Sequence, residues 1–233
     1  MSENQHLLDD SAFGVRLKYL EDRTCLFRPF LRPDTLAVLN RAIFSASFAG
    51  TTDPSALSLL ATFVAICQPA AVLELGTYHG FSTLVFADLL SQNVRPGRMV
   101  TVEPDATARD DARRQVEEAG LSSLVTFVPG MSTDEEVLNG LERDAPFDLI
   151  YVDTSHQYEP TLVELDAYLV RRKIARPGAL VFLHDITLPM GDDRGVGAAV
   201  EEWLKRNPTF RYLPLRTDGI WPNPCGLGLL LVP

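Results

Sequence analysis

The sequence predicts an α/β fold: a doubly wound, mostly parallel seven-stranded sheet with an antiparallel last strand, preceded by N-terminal helices. Three observations carry this expectation. From Ala70 onward, short apolar runs alternate with amphipathic segments, the rhythm of βα units that build a parallel sheet. The runs are nearly continuous in apolar residues rather than alternating, as expected of strands covered on both faces. The last two runs are separated by turn-rich sequence without a helix, so they read as a hairpin that turns the final strand against the others.

The elements follow in order. Residues 1–50 read as an N-terminal helical extension and 51–233 as the main domain. "RPDTLAVLNRAIFSASF" (32–48) reads as a helix opened by Asp34, with Leu36, Leu39, Ile43 and Ala46 on one stripe. In "GTTDPS", Asp53 suits an N-cap and Pro54 the first helical position. The helix over 55–67 is apolar almost all round, so it should be buried. The strands are "AVLEL" (71–75), "RMVTVE" (98–103), "LVTFV" (124–128), "FDLIYV" (147–152) and "ALVFLH" (179–184). Helices are expected between them at 80–91, 106–119, 133–143 and 159–175. Asp105 should cap the second of these, and Ser132 with Glu135 makes a capping box for the third. In the fourth, Leu162, Leu165 and Leu169 share a face that Glu164 and Asp166 do not. A helix at about 194–206 then precedes "FRYLPLR" (210–216), "TDGIWPNP" and "CGLGLLLV" (225–232).

Composition excludes several function classes. With 233 residues, 46% hydrophobic and 22% charged, the chain suits one soluble domain with a small appendage. A net charge of −10 disfavours nucleic acid and anionic membranes as partners. The one basic triplet, Arg171, Arg172 and Lys173, ends a predicted helix, where cations complement the macrodipole. Cys25, Cys67 and Cys225 are odd in number and lack a CxxC, which argues against a disulfide framework and for a reducing cytoplasm. The polar, acidic start does not read as a signal peptide, and no run is apolar for long enough to span a bilayer.

Open α/β sheets bind ligands at the carboxyl ends of their strands. The first strand ends in "LELGTYHGFS", where Gly76 and Gly80 permit a tight turn and close approach of a ligand. The spacing is G-x-x-x-G, with Tyr78 and His79 inside it; it is neither G-x-G-x-x-G nor a P-loop. The second strand ends in "TVEPD", and Glu103, 27 residues after Gly76, can accept both hydroxyls of a ribose. A ligand with a ribose but no pyrophosphate is implied. S-adenosylmethionine fits, with Glu74 placed to meet its amino group, directly or through water. The fourth and fifth strands end in Asp153, followed by His156, and in His184 and Asp185. As a group these could terminate strands, bind a divalent cation, or include a general base, His156. His184 reads equally as a core histidine.

On these residues the chain resembles class I S-adenosylmethionine-dependent methyltransferases, and in particular the small-molecule methyltransferase family 24. The matching stretches are "ELGTYHG" (74–80), "VEPD" (102–105), "VDTSHQY" (152–158), "RPGAL" (176–180) and "VFLHD" (181–185), within roughly residues 70–200. Thr154 stands where the family has glycine, and Ala179 where it has the second glycine of P-G-G. The resemblance implies a Rossmann-like methyltransferase domain over 51–233, with Glu74, Gly76, Tyr78, Gly80, Ser82, Glu103 and Asp153 around the cofactor. It places Met131 and Ser132 beside the adenine. By carry-over, Asp153, Asp185 and His184 could ligate a divalent cation such as Mg. The expected reaction is O-methylation of a small-molecule hydroxyl (a sugar, polyketide or phenol), with His156 and Asp153 in the chemistry. A cofactor-binding scaffold without transfer, or a nicotinamide-dependent oxidoreductase, are the alternatives. Gly191, Asp192, Asp193 and Gly195 suggest a loop over the acceptor, Tyr158 and Trp221 could line its pocket, and the N-terminal helices should cover it or form a homodimer contact.

Overall fold

The computed structural model describes residues 24–43, 51–187, 194–215 and 225–233. Ala46, residues 191–193 and Trp221, which the expectations above include, lie outside the described residues.

In chain order the elements are α1 (Pro33–Ile43), α2 (Pro54–Cys67), β1 (Ala71–Leu75), α3 (Phe81–Gln92), β2 (Arg98–Glu103) and α4 (Ala106–Glu118). Then come β3 (Val125–Pro129), α5 (Glu135–Asp144), β4 (Phe147–Val152), α6 (Tyr158–Leu165), β5 (Ala175–His184), α7 (Gly195–Arg206), β6 (Arg211–Leu215) and β7 (Leu227–Leu231). The sheet has seven strands in the order β3-β2-β1-β4-β5-β7-β6. β7 runs antiparallel to both of its neighbours, and the remaining pairs are parallel. The hairpin expectation therefore holds. Strand order reverses between β1 and β4, which is where an open sheet of this kind leaves a crevice for ligand.

Strand residues divide by parity between two cores, as the period of two demands. Val72, Leu149, Tyr151 and Phe182 join Leu57, Leu60, Leu84, Phe86 and Met99 on one face. Leu73, Leu75, Val152, Val181 and Leu183 join Leu138, Leu141, Leu165 and Trp203 on the other. Val38 and Leu39 of α1 belong to the first cluster, so α1 shares the core of the sheet. Its start is fixed by buried Asp88 on α3, which accepts from the backbone N–H (3.0 Å) and Nε (2.6 Å) of Arg32 and from Thr35 Oγ1. Asp34 accordingly lies within the first turn instead of opening the helix.

Two caps are as expected: Asp53 accepts from the N–H groups of Ser55 and Ala56, and Asp105 from that of Ala108. The third is not. α5 begins at Glu135, with Asp134 as its N-cap residue, because the Ser132 hydroxyl is turned away to Glu164. The helix expected over 159–175 ends its α-helical part at Leu165 and continues as a π turn, Asp166–Arg171. Glu164, expected on the outer face, is buried. β5 is longer than expected because Ala175 already pairs with Phe147. Among the described residues no helix is long and apolar enough to cross a membrane.

Candidate active site

A cavity of about 470 Å³ opens at the β1–β4 switch point. It is lined by residues that follow β1 (Gly76, Tyr78, Ser82), β3 (Met131, Ser132) and β4 (Asp153, Thr154, His156), by Glu103 at the end of β2, and by Thr51 and Thr52 from the segment before α2. Of the residues named from the sequence for the cofactor, Glu74 and Gly80 do not line it.

The β1–α3 turn is shaped by close backbone approach. Gly76 has φ +94°, and a Cβ there would collide with the carbonyl oxygen of Asp153. Its neighbour Asp153 donates its N–H to Leu75 O at 2.8 Å, which ties the ends of β1 and β4 together. Tyr78 follows with φ 47° and half-exposed, its ring edge-on to His79. Glu103 receives the Tyr78 N–H at 2.7 Å on one oxygen and the Asp105 N–H at 2.9 Å on the other. These bonds fix the carboxylate at the cavity wall, and each oxygen keeps a lone pair for a further donor.

Glu74 lies behind the wall. Its carboxylate takes hydroxyls from Ser82 (2.6 Å), Thr83 and Thr101 (2.6 Å). Burial pushes its carboxyl up to about 7, against the lowering effect of those hydroxyls. Glu74 thus does not line the cavity itself, and its connection to it runs through Ser82, which does. On the far side, Ser132 and Thr154 both donate to buried Glu164, at 2.5 Å and 3.0 Å. Burial raises the Glu164 carboxyl, with the two hydroxyls opposing. Thr154 has no positive φ, so the glycine that it replaces is not needed here; the left-handed positions are His156 and Asp185, each with φ 58°.

Asp153, His156, His184 and Asp185 do come together: donor atoms of all four lie within 4.8 Å of one another. Asp153 Oδ2 accepts from Thr52 Oγ1 (2.8 Å) and the Tyr151 hydroxyl (2.9 Å). Asp153 Oδ1 lies 3.2 Å from His184 Nδ1 and 3.9 Å from His156 Nε2. Asp185 pairs with His156 Nδ1 through Oδ2. Its Oδ1 is 3.3 Å from His184 Nδ1 but without hydrogen-bond alignment, and it has no partner although buried. His184 is 4% exposed with a carboxylate at each nitrogen, since Asp53 Oδ2 also meets its Nε2 at 3.3 Å; this suits the satisfied core histidine as well as the ligand.

Charge follows from this packing. Burial opposes the His184 and His156 cations, but the surrounding carboxylates outweigh it and raise both rings, His184 strongly. Burial likewise opposes the Asp153 and Asp185 anions, and the imidazoles hold both carboxyls below their usual range. Asp153 and His156 face the cavity, while His184 and Asp185 stand behind them. Two carboxylates, one of them with a buried oxygen that accepts no hydrogen bond, and two imidazoles fit a divalent cation; the acidic pair suits magnesium, and the imidazoles also admit manganese, iron or zinc. His79, by contrast, is bound to Asp111 at 2.9 Å on α4.

Sequence reasoning missed Thr52, Thr154 and Glu164 as parts of this site and read Asp53 only as a cap. Nothing local marks them, because their partners are far along the chain: Thr52 meets Asp153, 101 residues on, and Asp53 meets His184, 131 residues on.

Residues 73–186 match the family model of a methyltransferase domain. A catechol O-methyltransferase of Niastella koreensis is 31% identical over 153 residues, which span 65% of this chain and 65% of that protein. A catechol O-methyltransferase of Mycobacterium tuberculosis is 31% identical over 121 residues, 51% of this chain and 49% of that protein. The chain thus spans about half to two thirds of the length of these relatives. Among solved structures, an O-methyltransferase from Bacillus cereus in complex with SAH superposes with a TM-score of 0.71 at 23% identity, covering 94% of this chain and 97% of that one. The likeness is one of fold.

Proposed function

We propose that this chain, whose residues 73–186 match the family model of a methyltransferase domain, transfers a methyl group from S-adenosylmethionine to a hydroxyl of a small molecule. The observation that carries the reading is the single cavity wall holding both Glu103 and the pair Asp153 and His156. Glu103 would accept the ribose hydroxyls through its free lone pairs, and Met131 and Ser132 would border the adenine. Gly76 to Ser82, with the N-terminus of α3 and the Ser82–Glu74 pair, would hold the methionine end. The methyl group would then be presented to Asp153 and His156, which line the same cavity.

The chemistry is an in-line displacement. The acceptor oxygen attacks the methyl carbon, the C–S bond breaks with its electron pair going to sulfur, and the hydroxyl proton passes to His156 Nε2. Asp185 holds His156 Nδ1, which keeps Nε2 as the nitrogen free to accept. Asp153 positions the acceptor by hydrogen bonding, and Thr52 and Tyr151 hold it in place. Asp153, Asp185 and His184 are the residues that would hold a divalent cation, whose contribution is to lower the pKa of a bound hydroxyl. In this reading an N-terminal helical extension, 1–50, precedes a methyltransferase domain, 51–233, whose segment before α2 contributes Thr51 and Thr52 to the cavity wall.

Incubation with methyl-labelled S-adenosylmethionine and a panel of catechols, flavonoid phenols, sugars and polyketide alcohols, read by mass spectrometry, tests the proposal. A labelled methyl ether on at least one class is expected. Labelled methyl found only on amines would overturn the hydroxyl assignment.

A further inference from the structure

Asp53 carries out two tasks with its two oxygens. Oδ1 accepts the N–H groups of Ser55 and Ala56, both at 3.0 Å, and so starts α2. Oδ2 lies 3.3 Å from Nε2 of His184. Both residues are buried, Asp53 at 2% and His184 at 4% exposure, so water does not compete for the contact. A histidine ring can present only one nitrogen to each side. With Nε2–H held by Asp53, Nδ1 must face Asp153 Oδ1 at 3.2 Å and Asp185 Oδ1 at 3.3 Å. The residue before it, Thr52, meanwhile holds Asp153 Oδ2 at 2.8 Å. Two successive residues of one short segment thus grip the ends of two different strands.

We propose that Asp53 is a positioning residue: as the N-cap of α2 it locks the His184 ring with Nε2–H outward, leaving Nδ1 for the Asp153–Asp185 cluster. A carboxylate behind an imidazole orients it, and where a cation would displace the Nδ1 proton of this raised ring, the carboxylate decides that Nε2 keeps its own; such partners matter to cation affinity nearly as much as the ligands themselves. The part of this inference that concerns a cation rests on the cluster's proposed role; the orientation of the ring does not.

Asp53→Asn separates the two tasks. An amide caps a helix about as well as a carboxylate, but with its oxygen at the cap it turns an NH2 group toward Nε2, which forces that nitrogen to become an acceptor. Asp53→Ser keeps a capping oxygen and deletes the second one. Two readouts on the full chain decide the matter: nitrogen-15 spectra of the His184 ring without added metal, and Mn²⁺ affinity by electron paramagnetic resonance. The wild type should show a hydrogen-bonded Nε2 proton that Asp53→Asn abolishes, with thermal melting little changed. Mn²⁺ should bind roughly 10–100-fold more weakly to both variants. An Nε2 proton that persists unchanged in both variants would overturn the proposal. If the wild type binds no Mn²⁺, the cation assignment fails, while the ring spectra still decide the role of Asp53.

Discussion

His156 has one nitrogen committed to Asp185 and the other directed toward Asp153 and the cavity, so its work depends on its charge. Only the neutral ring can take a proton. Burial disfavours the cation, but the Asp185 hydrogen bond and the Asp153 charge outweigh it and raise the ring above its ordinary 6.5. The base form therefore appears only as pH rises through that raised value. We expect kcat/KM to climb with pH on a limb whose apparent pKa exceeds 6.5, and Asp185→Asn to move that limb to lower pH; steady-state rates across pH 5–9 check both. His156→Asn should lower kcat by about 10²–10⁴-fold while leaving the affinity for S-adenosylhomocysteine nearly unchanged. Asparagine tolerates the positive φ at this position, so the comparison removes the base without breaking the turn. A variant that keeps full turnover would remove His156 from the mechanism.

The β1–α3 turn shows how an element rather than a side chain makes the cofactor site. Gly76 lies against the Asp153 carbonyl with φ +94°, so Gly76→Ala suffers both a strained backbone and a collision. A loss of about 2–4 kcal/mol is expected from the two together, read by urea unfolding, with binding of S-adenosylhomocysteine weakened at least tenfold as β1 and β4 separate. The sheet was legible because apolar runs and cap residues are local signals: "AVLEL" and "FDLIYV" became β1 and β4, and Asp53 and Asp105 became caps. The strand-end cluster was legible too, since strand ends converge in this topology. Tertiary hydrogen bonds were not. Ser132 has the right spacing for a capping box, yet Glu164 claims its hydroxyl from 32 residues away, and Glu74 points into a nest of three hydroxyls instead of the cavity.

At the scale of the whole molecule, buried Glu74 links stability to pH. Its folded carboxyl titrates at about 7 and its unfolded one near 4.5. Between these values the native state holds a proton that the unfolded chain has released. Its contribution therefore falls as pH rises from about 4.5 to about 7, by about 3 kcal/mol in all, and it is constant on either side. Glu74→Gln should remove this slope, so that unfolding free energies at pH 5 and pH 8 differ less than in the wild type; chemical denaturation at the two pH values measures it. An unchanged slope would place the titration elsewhere. The same network joins the floor of the cavity to α3 through Ser82 and Thr83, so ligand in the cavity should stabilise the whole sheet. Calorimetric titration of the full chain with S-adenosylhomocysteine, and separately with NAD, tests the central claim most directly. The account predicts one S-adenosylhomocysteine site per chain, weakened at least tenfold by Glu103→Ala, and no comparable NAD binding. Tight NAD binding without S-adenosylhomocysteine binding would contradict it.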